Sequence, residues 1–318
     1  MKRVITAVIL IPIVVLALFK APIWLFTLLV FAVAVLAARE YLDIAEATGL
    51  MPFRGWCLWI IGCIFYALLV QLSQVDLVLG NAIALAFALR TLAFLVAIFS
   101  PFLLMGLAMR RDPLARALPD AAVSFLIVPY IGLTLACLPT VRSFPSGATY
   151  LLFAMLTVWA GDIAAYYVGR AVGKHKLAPR VSPGKTWEGT VSSVLGAALV
   201  AFLLFRFMNP IVGALVRMHL ASPPGYVSAL QTSNPLPHYP AMPLWLILLF
   251  AVCLNVAAQI GDLVESAIKR GAGLKDSGTL LPGHGGVLDR IDALLFALPV
   301  ALLFYLSGMV QYLQPGVR

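Results

Sequence analysis

Long apolar runs, separated by short polar stretches, dominate the pattern of hydrophobic and polar positions along the chain. A helix needs about 20 apolar residues, within a range of about 17–25, to cross a bilayer core. On that measure the pattern predicts nine membrane spans, at residues 4–19, 22–38, 57–73, 88–109, 121–138, 149–168, 190–208, 243–261 and 293–313. The pattern therefore predicts an all-α, polytopic membrane protein.

Three parts of this pattern are ambiguous. The first apolar run follows two cations, as in a signal peptide, but no small-residue cleavage site follows, so we expect an uncleaved first span. The run 77–109 is interrupted by Arg90 and Pro101. Because its first part, 77–89, is too short to cross a membrane alone, we expect a loop or an interfacial segment there. The Pro-rich segment 209–242 is expected to be a structured external loop.

Composition supports the membrane interpretation. Hydrophobic residues make up 62% of the chain and charged residues 11%, whereas a soluble domain contains about 25% charged residues. The net charge is +9. In a membrane protein, such basic charge marks cytoplasmic loops more often than a nucleic-acid surface, so no nucleic-acid partner is expected. The four cysteines lie in apolar runs without paired spacing, which indicates small apolar residues of helices.

The distribution of charge predicts the topology. With the N-terminus in the cytoplasm, sixteen of the 22 Lys and Arg residues fall in cytoplasmic segments, as the positive-inside rule requires. We therefore expect a cytoplasmic N-terminus, an extracytoplasmic C-terminus and a multi-pass location in the inner (cytoplasmic) membrane. All of the 13 acids except Asp76 also lie on or near the cytoplasmic side. Orientation needs only the cations, so these carboxylates indicate metal and phosphate chemistry.

The stretch 262–292 has the strongest chemical pattern. If the eighth helix continues past Gly261, then Asp262, Glu265 and Lys269 share one face of it. The eighth and ninth helices must run antiparallel, so their cytoplasmic ends can meet and bring Asp262 and Asp289 to the same depth. Hard cations such as Mg²⁺ bind one or two carboxylates together with substrate phosphates. The stretch therefore predicts a Mg²⁺–phosphate site, rather than a solvated loop of salt bridges.

The stretch 162–190 is more ambiguous. Asp162 is an ionisable residue within a span, which indicates function, although helix packing is the alternative. The segment 184–186 resembles the end of a phosphate-binding P-loop, but Pro179 replaces the required glycine and a membrane helix replaces the strand. The hydroxyl and ammonium groups around Lys185 can still bind phosphate oxygens. The alternative is a basic loop before an N-capped helix with Glu188 in its first turn.

A pattern of more than a dozen positions between Ser266 and Asp292 resembles the signature of the phosphatidate cytidylyltransferase (CDP-diacylglycerol synthase) family. The pattern consists, in order, of Ser266, Lys269, Arg270, Lys275, Asp276, Gly278, Pro282, Gly283, His284, Gly285, Gly286, Asp289, Arg290 and Asp292. Residues 182–189 resemble the family's second block, with Gly184 where Asn is more usual, and Asp162 with Tyr166 resembles a third.

The resemblance covers residues 140–318, whereas the first part of the chain matches only as generic membrane spans. We therefore divide the chain into membrane spans without a chemical motif, 1–140, and a catalytic membrane region, 141–318. The catalytic region has cytoplasmic loops at 169–190 and 262–292.

The resemblance implies that CTP and phosphatidate, which lies in the bilayer, give CDP-diacylglycerol and pyrophosphate for phospholipid synthesis. It implies Mg²⁺ as cofactor, with a second cation left open, and a homodimer. Asp262 and Asp289 are the expected metal ligands. The candidate catalytic residues are Asp262, Lys269, Asp289 and Asp292. The candidate substrate-binding residues are Ser182, Lys185, Thr186, Glu188, Arg270, Lys275, His284 and Arg290. Glu188 would orient a cation, while a structural hydrogen bond is the alternative role for His284.

Two other functions remain open on the sequence. A CTP-dependent kinase of a lipid alcohol would transfer the γ-phosphate of CTP and release CDP. An ion or phosphate transporter would also place acids in the membrane, but near the bilayer midplane, whereas these acids cluster at one edge. A CDP-alcohol phosphotransferase is disfavoured, because its Asp-x-x-Asp-Gly-x-x-Ala-Arg pattern is absent from the sequence.

Overall fold

The computed structural model describes residues 12–72, 80–221, 239–280 and 285–313. These residues are nearly all α-helical. The helices are α1 Ile23–Ala47, α2 Arg54–Leu72, α3 Gly80–Ala108, α4 Ala117–Ile127, α5 Thr134–Arg142, α6 Gly147–Val172, α7 Trp187–Arg206, α8 Met208–Arg217, α9 Leu244–Gly271, α10 Leu288–Phe304 and α11 Val310–Leu313. Residues 12–20 are also helical. A 3₁₀ turn, Leu114–Arg116, precedes α4, and π-helical segments follow α4 and α10 at Val128–Leu133 and Tyr305–Met309.

Within the described residues, seven helical segments are long and apolar enough to cross a membrane. They are Ile23–Ala47, Arg54–Leu72, Leu114–Arg142, Gly147–Val172, Trp187–Arg206, Leu244–Gly271 and Leu288–Met309. Each overlaps a predicted span, so the multi-pass prediction is confirmed. Of the predicted first span, 4–19, residues 12–19 are described and helical, and residues 4–11 lie outside the described part.

The fourth predicted span differs from the structure in where its helix begins. Helix α3 starts at Gly80 and continues through Pro101, so residues 80–89 are part of one helix with the predicted span. A loop at these positions was therefore the wrong prediction, because a single Arg90 in a run of Ala and Leu does not interrupt a helix. Residues 209–217 of the predicted external loop belong to α8, and residues 222–238 lie outside the described part.

A short β-hairpin corrects the all-α prediction. Strand β1, Lys176–Ala178, pairs with β2, Ser182–Thr186, in antiparallel register between α6 and α7. Pro179 and Pro183 lack the backbone N–H that a helix interior needs. The backbone groups of this polar loop are paired across two short strands instead.

The chain folds into two compact units, and the first contains residues 22–140 and 265–295 of the described part. Helix α1 packs there against α2, and the Tyr41 hydroxyl donates to the Val123 carbonyl at 3.0 Å. The fully buried Asp120 accepts from the Met51 backbone N–H at 2.9 Å, which ties the α1–α2 connection to α4. This unit also contains the end of α9 and the start of α10.

The second unit contains residues 12–21, 141–264 and 296–313 of the described part. Its core is an aromatic cluster in which the Phe250 ring lies 5.6 Å from Tyr150, 5.7 Å from Phe205 and 5.5 Å from Phe304. Helices α6 and α7 approach closely, since a Cβ added at Gly196 would lie 2.7 Å from the Cβ of Ala164. This close packing positions the β-hairpin that connects them.

Candidate active site

Lys269 joins the end of α9 to the start of α10 in the first unit. Its ammonium nitrogen lies 2.6 Å from Glu265 Oε2 and 2.5 Å from Asp289 Oδ1. Glu265 is 1% exposed and Lys269 is 9% exposed. Helix α9 therefore continues past Gly261, and its end contacts the start of α10 through this lysine. The approach of Asp262 to Asp289 stays a prediction.

Asp289 is held by three donors. Beside Lys269, the backbone N–H groups of Ser277 and Gly286 donate to its Oδ2 at 2.9 and 2.8 Å. Gly285 has φ +77°, and a Cβ there would collide with the same oxygen, so a glycine is needed at this position. The carboxylate also lies in the first turn of α10, where the helix dipole favours negative charge. Asp289 is thus fixed in one orientation.

Glu40 of α1 is a member of this cluster that sequence reasoning missed. Its Oε1 accepts from the Val287 N–H at 2.9 Å, and its Oε2 accepts from Leu288 N–H and the Ser277 hydroxyl at 2.8 and 2.9 Å. The side chain is buried, with 8% exposure. One available signal was the position of Glu40, two residues after the predicted span 22–38. An ionisable residue at a membrane span indicates function.

The other predicted site residues of this unit are exposed or make local hydrogen bonds. Asp292 Oδ1 accepts from the N–H of the next residue at 2.8 Å. Arg270 is exposed and donates to the Leu274 carbonyl at 3.1 Å. Lys275 and Arg290 are also exposed. Lys269, in contrast, lies against the buried carboxylates. The predicted residue His284 lies outside the described residues.

The second unit contains a cavity of about 620 Å³, which is within the usual range of about 300–1,000 Å³ for small-molecule sites. Three cations and two acids line it. They are Arg170, Lys176, Lys185, Asp162 and Asp262. Lys185 of β2 forms an ion pair with Asp262 of α9, with Nζ and Oδ2 2.7 Å apart. The cavity therefore has an excess of positive charge and contains carboxylates suited to a cation.

Residues around the β-hairpin have a structural role as well as a place near the cavity. Thr186 lines the cavity and caps α7, because its Oγ1 accepts from the Gly189 N–H at 3.1 Å. Glu188 contacts His175, whose Nδ1 lies 2.7 Å from its Oε1. The N-capped helix considered for this stretch is therefore present. Ser182 begins β2 and is partly exposed.

A buried polar chain extends from the cavity between the helices of the second unit. Asn255 Nδ2 donates to Ser193 Oγ at 2.9 Å, and Gln259 Nε2 donates to Asn255 Oδ1 at 2.6 Å. Ser193 and Gln259 both line the cavity. Sequence reasoning missed these residues, although Asn255, Gln259 and Asp262 have the i, i+4, i+7 spacing of one helix face.

The carboxylates fit a hard cation in chemistry. Among the described residues, no group of three or more His, Cys, Asp or Glu is arranged to hold a metal. Mg²⁺ needs fewer, because phosphates and water complete its shell. Asp262 and Asp289 each already face an ammonium group. Glu265 is a further buried carboxylate, and its Oε2 lies 2.6 Å from the Lys269 ammonium.

Comparison with known proteins identifies relatives. A family model described as the Cytidylyltransferase family matches residues 1–307. A phosphatidate cytidylyltransferase of Staphylococcus epidermidis is 39% identical over 181 residues, which are 57% of this chain and 57% of the relative. One of Brucella suis is 43% identical over 173 residues, or 54% of this chain and 51% of the relative. The aligned region thus spans a little over half the length of the curated relatives.

Proposed function

Because this chain belongs to the cytidylyltransferase family, we propose that it transfers the cytidylyl group of CTP to phosphatidate, forming CDP-diacylglycerol for phospholipid synthesis. The observation that carries this proposal is the cavity of the second unit, where three cations lie beside two carboxylates. Such a lining suits a polyphosphate that arrives with a metal ion. The substrate pair is taken from the names of the relatives.

In this reaction a phosphate oxygen of phosphatidate attacks the α-phosphorus of CTP. A new P–O bond forms, the bond from the α-phosphorus to the bridging oxygen breaks, and pyrophosphate leaves. The nucleophile is already an anion, so no protein base is needed. What the protein must supply is in-line positioning and neutralisation of charge.

The cavity cations supply that neutralisation. Arg170, Lys176 and Lys185 line the cavity, and charge-assisted hydrogen bonds to phosphate are stronger than neutral ones. Lys185 is now paired with Asp262. When CTP binds, a phosphate oxygen would replace Asp262 as the partner of the Lys185 ammonium. Asp262 would then pair with the bound cation. Thr186, fixed as the cap of α7, adds a hydroxyl to the same wall.

We propose Asp262 and Asp289 as the carboxylate ligands of Mg²⁺. When bound, the ion would neutralise charge on the triphosphate and hold its orientation. Asp289 suits this role because Lys269 and two backbone N–H groups already fix its carboxylate. A prearranged ligand needs no reorganisation during the reaction. The homodimer stays a prediction, and a second cation stays open.

The topology is proposed as well. We propose nine spans in the cytoplasmic membrane, with the N-terminus in the cytoplasm. The distribution of Lys and Arg along the sequence supports this orientation. In it, the charged cavity residues lie at the cytoplasmic ends of the helices. CTP can then enter from the cytosol, while the acyl chains of phosphatidate stay in lipid.

The experiment is to supply the purified protein with Mg²⁺, phosphatidate and CTP labelled in the cytidine. The proposal predicts label in the lipid fraction and release of pyrophosphate. If the lipid stays unlabelled, the proposal is wrong. A parallel reaction with label in the γ-phosphate and a lipid alcohol tests the kinase alternative, because label would enter the lipid only in that case.

A further inference from the structure

We propose that Glu40 is a positioning residue of the transferase site. Its carboxylate fixes the start of α10 and Ser277, and through them the orientation of Asp289. The inference rests on the proposed function, in which Asp289 is a ligand of Mg²⁺. It assigns a role in the reaction to α1, which belongs to the part of the chain without a chemical motif in its sequence.

The Glu40 carboxylate is held at the start of α10. Two of its partners are the backbone N–H groups of Val287, just before α10, and of Leu288, its first residue, which have no acceptor within that helix. The carboxylate therefore caps α10 from another helix, 248 residues away in sequence. Because the acceptor is ionised, these hydrogen bonds are stronger than those between neutral groups.

Ser277 links Glu40 directly to Asp289. The Ser277 hydroxyl donates to Glu40 Oε2 at 2.9 Å and accepts from the Asp289 N–H at 3.3 Å. The Ser277 N–H donates to Asp289 Oδ2 at 2.9 Å. One serine thus contacts both carboxylates. Movement of Glu40 would release the Ser277 hydroxyl. Ser277, which helps to orient Asp289, would then be held less firmly.

Two glycines, Gly278 and Gly286, lie against the Glu40 side chain. A Cβ added at Gly278 would lie 2.8 Å from Glu40 Oε1, and one added at Gly286 would lie 2.6 Å from its Cδ. Only a residue without a side chain leaves room for the carboxylate at these two positions. Part of the glycine-rich pattern in this stretch is therefore explained by the approach of Glu40 rather than by a ligand.

Glu40 is held by hydrogen bonds and not by a counter-ion in the part of the chain that the structure describes. Across the described ranges, no ion pair reaches Glu40. A buried carboxylate without a paired cation is unfavourable unless hydrogen bonds compensate for its lost hydration. Here the compensation comes from three donors and from the positive end of the α10 dipole. These groups therefore stabilise the negative charge of Glu40 at the beginning of α10.

The test compares Glu40→Gln with Glu46→Gln in the full-length purified protein. Glutamine keeps the shape of Glu40 but replaces one acceptor oxygen with an amide that cannot accept from Val287 or Leu288. Glu46 is a matched control on the same helix, since it is an exposed glutamate whose ion pair is with Arg54 at 3.0 Å. Ser277→Ala provides a second variant, which cuts the link and keeps the Glu40 carboxylate.

Three quantities are measured for each variant: amide hydrogen exchange in residues 285–295, Mn²⁺ binding by electron paramagnetic resonance, and the Mg²⁺ dependence of transfer. In Glu40→Gln we expect exchange to rise by about tenfold or more, because a hydrogen bond to a charged group is worth at least that factor. Weaker Mn²⁺ binding and a higher Mg²⁺ requirement should accompany it, with an unchanged KM for phosphatidate. Ser277→Ala should change the same quantities in the same direction.

Glu46→Gln should match the wild type in all three measurements. Wild-type exchange and Mn²⁺ binding in Glu40→Gln would overturn the inference. Faster exchange with unchanged Mn²⁺ binding and Mg²⁺ requirement would also overturn it, because Glu40 would then only cap a helix. If the wild type transfers no cytidine, the proposed function fails. Exchange and Mn²⁺ binding still decide in that case whether Glu40 positions Asp289.

Discussion

Removing the positive charge of Lys269 tests the arrangement at the junction of α9 and α10. Lys269→Met keeps most of the length of the side chain and its apolar stem. The Glu265 and Asp289 side chains, which are 1% and 6% exposed, then lose the ammonium that lies 2.6 and 2.5 Å from them. Removing one partner of a buried ion pair lowers stability by about 3–5 kcal/mol. We expect a loss of that size in the free energy of unfolding.

The assay is a denaturant titration of the protein in detergent, with Lys275→Met as the control. Lys275 is exposed on the connection that follows α9, and its substitution should change the free energy of unfolding by about 0.5 kcal/mol or less. The double variant Lys269→Met/Glu265→Gln removes one of the two carboxylates that lose the ammonium. It should therefore recover part of the stability that Lys269→Met loses.

Two results would refute this reasoning. If Lys269→Met is no less stable than Lys275→Met, the ammonium does not compensate for the buried carboxylates. If the double variant is as unstable as the single one, the loss in Lys269→Met does not come from the carboxylate of Glu265.

Gly286→Ala should lower both stability and the rate of transfer, because the added Cβ meets the Ser277 hydroxyl and the Glu40 carboxylate; Gly271→Ala, in open space, is the control. Equal melting temperatures and rates for the two alanine variants would argue against a tight fit around Glu40. A periplasmic reporter fused after Arg318 should be active if the chain has nine spans with its N-terminus in the cytoplasm. A silent reporter in a fusion that is fully inserted would disprove that topology.

The local features of this fold could be predicted from sequence periodicity and composition. The continuation of α9 to Gly271 follows from the apolar run and from the carboxylate and lysine spacing on one face. The beginning of α10 could be predicted from Asp289 and Asp292, which share one helix face just before the last apolar run. The contact of Lys269 with Asp289 could also be anticipated, since the ends of two consecutive antiparallel helices meet.

The features that the sequence could not predict depend on long-range pairing. Glu40 and Ser277 are 237 residues apart, and no local pattern indicates that their side chains meet. The β-hairpin was missed because a two-stranded pairing around Pro179 has a weak periodic signal in a short polar loop. Arg270 and Lys275 show the reverse case, since charge alone identifies a basic loop but not what its side chains contact.

The most direct test of the central claim is the initial rate at which cytidine label from CTP enters phosphatidate, with wild type and Asp289→Asn at equal amounts of inserted protein. The wild type should label the lipid in the presence of Mg²⁺. Asp289→Asn, which keeps the shape of the side chain and loses its charge, should be slower by about 100-fold or more, as when a preorganised electrostatic group is removed. An unlabelled lipid with the wild type, or a near-normal rate with Asp289→Asn, would contradict the account.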